Sequence, residues 1–180
     1  MSRDSCTEER PLPSGRWLHV DIASQRLSLR DGDRTLLTLP VSTARKGAGE
    51  RSGSECTPRG WHHVRARIGD GLPEGAVLRG RRPTGEVWTP ELHARFPGRD
   101  WILSRILWLS GDESGRNRGW LPDGTLVDTL HRYIYLHGTP DSEPMGLPLS
   151  HGCIRLRNRD LIALFDQVPL NTPVLIEEQA

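Results

Sequence analysis

The chain has 180 residues, enough for one domain with a short extension, and a domain of that size needs no disulfide or metal staple to bury a core, although its 35% hydrophobic content is low. Its 24 basic and 23 acidic residues leave a net charge of +1, which argues against a nucleic-acid-binding field. The 3 cysteines do not form a disulfide framework, and no run approaches the roughly 20 apolar residues that span a bilayer. With Gly 19, Pro 14 and Trp 6, the composition predicts many short elements joined by turns around a few large rings.

Residues 1–15 read as a disordered polar tail ahead of a domain over 16–180. The opening MSRDSCTEERPLPSGRW has no apolar h-region. As it starts, the chain predicts a cytoplasmic protein, or a periplasmic one if a leader has been removed. WLHVD (17–21) and RLSLR (26–30) alternate around a turn at Ala23–Gln25, and TLLTLPVS (35–42) follows Asp31–Gly32–Asp33. These runs predict a three-stranded meander. Residues 43–60 form a long Gly/Ser-rich loop, and long loops in compact domains are often functional. WHHVRARI (61–68) and AVLRG (76–80) read as strands, with His62 and His63 on opposite faces.

Thr89–Pro90–Glu91 has the chemistry of a helix start, so a short helix is expected over 89–96, stopped by Pro97–Gly98. WILSRILWLS (101–110) is a continuous apolar run, read as a central strand. RYIYLHG (132–138) reads as a strand with Tyr133, Tyr135 and His137 on one face. SHGCIRL (150–156) follows a second loop. Leu161, Leu164, Phe165 and Val168 form an amphipathic stripe, placing a helix at 159–168, and TPVLIEE (172–178) is a last strand. The sum is a mostly β fold.

Chemistry concentrates at Ser150–His151–Gly152–Cys153–Ile154–Arg155. A thiol attacks carbonyls as thiolate, so it needs a base nearby. His137, at a strand end and followed by Gly138, can serve if the intervening loop returns Cys153 beside it, and His151 is a second imidazole. The N–H groups of His151, Gly152 and Cys153 are candidates for an oxyanion site. Arg155 suits an anionic substrate end. The blander readings are a buried Cys acting as a small hydrophobe and an arginine paired with a surface acid. A zinc site from His137, His151 and Cys153 lacks paired ligand spacing. Cys6 and Cys56 read as incidental thiols.

YIYLHGTP (133–140) and PLSHGCIRLRNRD (148–160) resemble the L,D-transpeptidase catalytic domain, the YkuD type. PVSTARKGAGERSGSECTPRG (40–60) resembles the earlier part of that domain more loosely, with Ala44–Arg45–Lys46 where glycine is usual after the Thr. The resemblance implies a β-sandwich-like domain acting, without a cofactor or metal, on peptidoglycan tetrapeptides or muropeptides. It implies Cys153 as nucleophile, His137 as base and the Gly138 carbonyl orienting the imidazole. Ser150, His151 and Gly152 would shape the site, and Arg155 and Tyr135 would bind substrate. The implied reaction cleaves the diaminopimelate–D-alanine bond through a thioester. Resemblance to leaderless relatives favours water as acceptor, an L,D-carboxypeptidase of murein recycling. The alternatives are 3→3 crosslinking or D-amino-acid exchange, a non-catalytic wall-binding module and a zinc hydrolase. Neither a nucleic-acid nor a membrane partner is expected, and oligomeric state is left open.

Overall fold

Strand β1 (Arg16–Asp21) and strand β2 (Arg26–Asp31) alternate inward and outward, and their register sets Leu18 against Leu29 and Val20 against Leu27. Strand β3 (Arg34–Pro40) completes the meander on the far side of β2. In the computed structural model, which describes residues 10–179, this meander is one end of a single ten-stranded sheet. The chain returns to it late: β10 (Pro173–Glu177) lies parallel to β1, with Val174 beside Leu18 and Ile176 beside Val20. Next come β4 (Gly60–Ile68) and β7 (Ile102–Gly111), both antiparallel to their neighbours. β7 is the hub, since it also carries β5 (Ala76–Arg79) and β8 (Tyr135–Thr139). β9 (Ile154–Arg157) runs parallel to β8. The mostly β expectation holds, and the strands form one curled sheet.

The curl closes over an apolar core. Leu18, Val20, Leu27, Leu29, Leu107 and Leu136 are fully buried there. Helix α2 (Asn158–Phe165) seals it with Leu161, Leu164 and Phe165. Fully burying such a side chain stabilises by roughly 1.5–3 kcal/mol. The helix ends at Phe165, short of the expected 168, because the next N–H groups, of Gln167 and Val168, bond three residues back to the Leu164 and Phe165 carbonyls and tighten the chain into a turn. Among the described residues no helix is long and apolar enough to cross a membrane.

Alternation along β8 and β9 decides where the chemistry goes. Leu136 and Ile154 face the α2 core, and they are register partners. Their neighbours Tyr135, His137, Cys153 and Arg155 therefore share the opposite face. There Tyr135 packs with Ile106 and Leu78, and Cys153 packs against them.

Three expectations are corrected. Tyr133 is not in a strand: its backbone is left-handed (φ 57°), and β8 begins only at Tyr135. A turn from Asp128 to Tyr133 takes the preceding residues out of the ladder. Strand β6 (Arg82–Val87) was not expected, because RPTGEV contains Pro and Gly and shows no alternation. It is an edge strand on β5 with a bulge, where such residues are tolerated. Residues 10–15 of the expected tail are tied down. Arg10 pairs with Asp112 at 3.0 Å and its guanidinium sits 4.8 Å from the centre of the Trp61 ring. Cys6 lies outside the described residues.

Helix α1 (Pro90–Arg95) forms as expected, with Thr89 Oγ1 accepting from the Leu92 N–H at 3.1 Å. It docks through Leu92 and Trp88 on Val77, Trp101 and Leu103. His62 is buried and His63 half-buried, as their opposite faces require.

Candidate active site

Gly152 is where the chain turns toward the thiol. Its φ of +133° is open to glycine, and a Cβ there would meet Ile134 Cδ1 at 3.1 Å and the Cys56 carbonyl at 3.3 Å. Ser150, buried, staples this turn: its hydroxyl donates to the Cys153 carbonyl at 2.6 Å and accepts from the Gly152 N–H at 3.2 Å. The Gly152 N–H therefore points back into its own loop. Of the three amides considered for an oxyanion, those of His151 and Cys153 remain. His151 itself is exposed.

The early loop bolts this turn in place. Ser42 exchanges backbone hydrogen bonds with Arg155, at 3.0 and 2.9 Å. Thr57 Oγ1 donates to the Gly152 carbonyl at 2.9 Å and accepts from the Ala44 N–H at 3.0 Å. The Arg132 guanidinium, half-buried, donates to the carbonyls of Gly49 (3.1 Å), Glu50 (2.9 Å) and Cys56 (2.7 Å). Residue types alone gave no sign of Arg132, because its partners are backbone oxygens some eighty positions upstream.

Cys153 is half-buried. Its sulfur accepts from the Tyr135 N–H at 3.4 Å and donates to the Tyr133 carbonyl at 3.4 Å. The left-handed turn at Tyr133 aims that carbonyl at the thiol. Burial pushes the thiol up to about 12, opposed by the Tyr135 N–H and by the charges of Arg155 and Arg132. The group rests as a neutral thiol.

His137 lies in the adjacent strand on the same face and is buried. Its Nδ1 is 2.7 Å from the Gly138 carbonyl. A carbonyl only accepts, so Nδ1 carries the proton and Nε2 of the neutral ring is a lone pair. Burial lowers the imidazole below its ordinary range, against the pull of Asp100. Gly138 must be glycine, since a Cβ would press on the Leu103 carbonyl at 2.6 Å and on Asn158. Asn158, the first residue of α2, pins the strand end. Its Nδ2 donates to the Thr139 carbonyl at 3.0 Å, and its Oδ1 accepts from Ser104 at 2.6 Å.

Arg155 stands opposite His137 in the register. It is not free: Asp100 lies at 3.3 Å and Glu143 at 4.0 Å. Tyr135 is buried beside Cys153, with its hydroxyl accepting from Arg81 at 3.2 Å. Among the described residues no three His, Cys, Asp or Glu side chains converge as a metal site. The zinc reading of His137, His151 and Cys153 has no geometry behind it.

The model of the L,D-transpeptidase catalytic domain, YkuD, matches residues 15–176. The chain belongs to that family. A Salmonella typhimurium protein described as a probable L,D-transpeptidase, ErfK/SrfK, is 31% identical over 158 residues, covering 87% of this chain and 42% of the relative. The Escherichia coli protein described as a probable L,D-transpeptidase, YbiS, is 33% identical over 96 residues, covering 52% and 29%. The chain thus spans less than half the length of either relative. The structure of Bd1075 from Bdellovibrio bacteriovorus shares the fold, with a TM-score of 0.55 at 20% identity over 92% of this chain and 49% of that one. The matched span takes in every element of this L,D-transpeptidase domain from the β1–β2 hairpin through β9 and α2, so the loop that bolts the Cys153 turn and the turn itself fall inside one family match.

Proposed function

We propose that this domain is a cysteine acyl-transferase acting on peptidoglycan tetrapeptide stems, with Cys153 as nucleophile and His137 as base. The observation that carries the reading is the imidazole tautomer: Nδ1–H is fixed on the Gly138 carbonyl, and Nε2 is left unprotonated on the face that also bears Cys153. Both groups rest neutral, so attack and proton transfer are coupled. The thiol leaves the Tyr133 carbonyl, Nε2 takes its proton, and the sulfur bonds to the carbonyl carbon at the L-centre of diaminopimelate. We assign the His151 and Cys153 amides to the oxyanion that forms. The carbon–nitrogen bond then breaks, the D-alanine amine leaves with the proton from Nε2, and a thioester remains.

We assign water as the favoured acceptor. Nε2 takes a proton from water, hydroxide adds to the thioester, and the thiolate leaves and recovers the proton, giving a tripeptide. The support is the resemblance of residues 88–92, 100–111 and 137–146 to relatives that trim tetrapeptides. A cytoplasmic role in murein recycling goes with that assignment. The names of the curated relatives favour a second reading, in which an amine accepts the acyl group and forms a 3→3 crosslink or an exchange product.

Incubation with a murein tetrapeptide is expected to release D-alanine and free tripeptide, followed by mass spectrometry. Crosslinked dimers in place of tripeptide would replace the first reading with the second. Cys153→Ala is expected to abolish both products and to remove the mass increment that a carbapenem leaves on the protein. Persistence of that increment in Cys153→Ala would sink the nucleophile assignment.

A further inference from the structure

On the α2 side of the sheet, the reverse of the face that bears Cys153 and His137, two arginines crowd one ring. The guanidinium carbon of Arg67, on β4, lies 4.2 Å from the centre of the Phe165 ring, and that of Arg105, on β7, lies 5.6 Å from it. Phe165 belongs to the α2 core and is fully buried. The strand register brings the two together. Arg67 pairs with Leu107, so Arg105, two residues back along β7, is its diagonal neighbour on the same face. Such neighbours stand about 7–8 Å apart, within reach of long side chains. Arg105 is only 7% exposed, so its charge is largely removed from water.

Neither charge is balanced. Every arginine ion pair among the described residues involves some other arginine, and Asp70 and Asp166, in the turns beside the pair, join neither. The two guanidiniums bond instead to neutral backbone oxygens. Arg67 Nη2 donates to the Phe165 carbonyl at 2.9 Å, and Arg105 Nη1 donates to those of Leu72 and Ser104, both at 2.8 Å. These bonds fix both heads but use one nitrogen of each. Nε of both is buried without an acceptor. Arg67 Nη1 and Arg105 Nη2 also make no hydrogen bond among the described residues and, unlike Nε, are not enclosed. In Arg105 the unused nitrogens, Nε and Nη2, are one whole edge of the fork that grips an oxyanion. Two like charges side by side with unpaired N–H groups are costly, and one anion relieves both costs.

We infer that Arg67 and Arg105 form a binding site for a phosphate dianion, carried free or as a monoester on a larger molecule. Charge decides the class. A carboxylate has one negative charge and is satisfied by one fork, whereas a fully ionised phosphate has two and presents oxygens in more than one plane. One phosphate therefore matches two guanidiniums that reach it from adjacent strands. The site lies away from Cys153 and does not depend on the reaction proposed above.

The test titrates inorganic phosphate, methyl phosphate and acetate into the full chain by calorimetry at constant ionic strength. Inorganic phosphate is expected to bind once per chain, and acetate about tenfold more weakly or worse. Arg67→Met and Arg105→Met should each weaken phosphate binding about tenfold or more. Arg34→Met removes an exposed charge on β3, at the end of the sheet, and should leave the affinity unchanged. Arg67→Lys keeps the charge without the fork and should fall between wild type and Arg67→Met. The two Arg67 variants carry the test if Arg105→Met, stripped of its bonds to Leu72 and Ser104, fails to fold. Methyl phosphate binding as tightly as inorganic phosphate assigns the site to an ester on a larger molecule. Its exclusion assigns the site to the free ion, and either result supports the site. No phosphate binding to the wild type, equal affinity in the Arg67 and Arg105 variants, or acetate binding as tightly as phosphate would overturn it.

Discussion

The domain holds two buried imidazoles in nearly the same setting, His62 on β4 and His137 on β8. Each has Nδ1 on a glycine carbonyl, Gly60 at 2.9 Å and Gly138 at 2.7 Å, so each is fixed in the same tautomer. Burial lowers the basicity of both. They differ at the other nitrogen. Thr129 Oγ1 closes His62 Nε2 at 3.0 Å, whereas no described residue hydrogen-bonds His137 Nε2. One hydroxyl separates an imidazole that holds a sheet to a loop from one whose second nitrogen stays open for the proton transfer proposed above.

The sharpest way to break this comparison is to remove each ring in turn. His137→Ala should lower kcat/KM for D-alanine release by about 10²–10⁴-fold, the range for loss of a general base. His62→Ala should keep turnover but lose about 2–5 kcal/mol of stability, since it opens a cavity and strands the Thr129 hydroxyl and the Gly60 carbonyl. Turnover assays and urea unfolding on both proteins give the answer. A silent His62→Ala beside an active His137→Ala would invert the roles assigned here.

The pair also shows what the chain could reveal before folding. Residue type and local order singled out Cys153 and His137 as candidates, because a strand-end His-Gly and a Ser-His-Gly-Cys turn lie within short stretches of chain, and the structure sets the two on one face. Period-2 alternation gave β1 to β4, and the Leu161–Phe165 stripe gave α2. The break before β8 was hidden, since RYIYLHG alternates without pause, and only the left-handed Tyr133 backbone ends the ladder. That break is what points a carbonyl at the thiol. Asn158, Arg132 and Thr57 were silent because each acts on backbone groups remote in sequence. The acids on Arg155 come from two separate loops, at positions 100 and 143.

Acid sharpens the comparison through stability. Burial pushes His62 down to about 4, against an ordinary value of 6.5. Between those values the unfolded chain binds the proton and the folded one does not, so stability rises with pH. The contribution is whole above about 6.5 and is lost as pH falls to about 4, amounting to about 3 kcal/mol. His137, lowered for the same reason, adds a loss of the same sign. Urea unfolding at pH 7, 5.5 and 4.5 should show the decline, and His62→Gln should flatten it. An unchanged slope in that variant would mean that His62 is not buried as a neutral ring. In the rate profile, the acid limb of kcat/KM should lie below 6.5, where His137 gains its proton.

The smallest effect expected probes what holds the open imidazole still. Asn158 is buried at the start of α2, with one amide atom on the Ser104 hydroxyl and the other on the Thr139 carbonyl. Ser104 in turn accepts from the Gly75 N–H at 2.9 Å. Asn158→Ala strands the Ser104 hydroxyl proton and the Thr139 carbonyl, at a cost of about 1–3 kcal/mol by urea unfolding. The strand end that carries His137 and Gly138 then loses its tether but keeps the β7 and β9 ladders on either side. The rate of D-alanine release should therefore fall less than in His137→Ala, with the acid limb unmoved, because Nδ1 still meets the Gly138 carbonyl. A shift of that limb toward 6.5 would mean that Asn158 governs burial of the ring as well as its position, and that the two histidines differ in packing more than in the partner of Nε2.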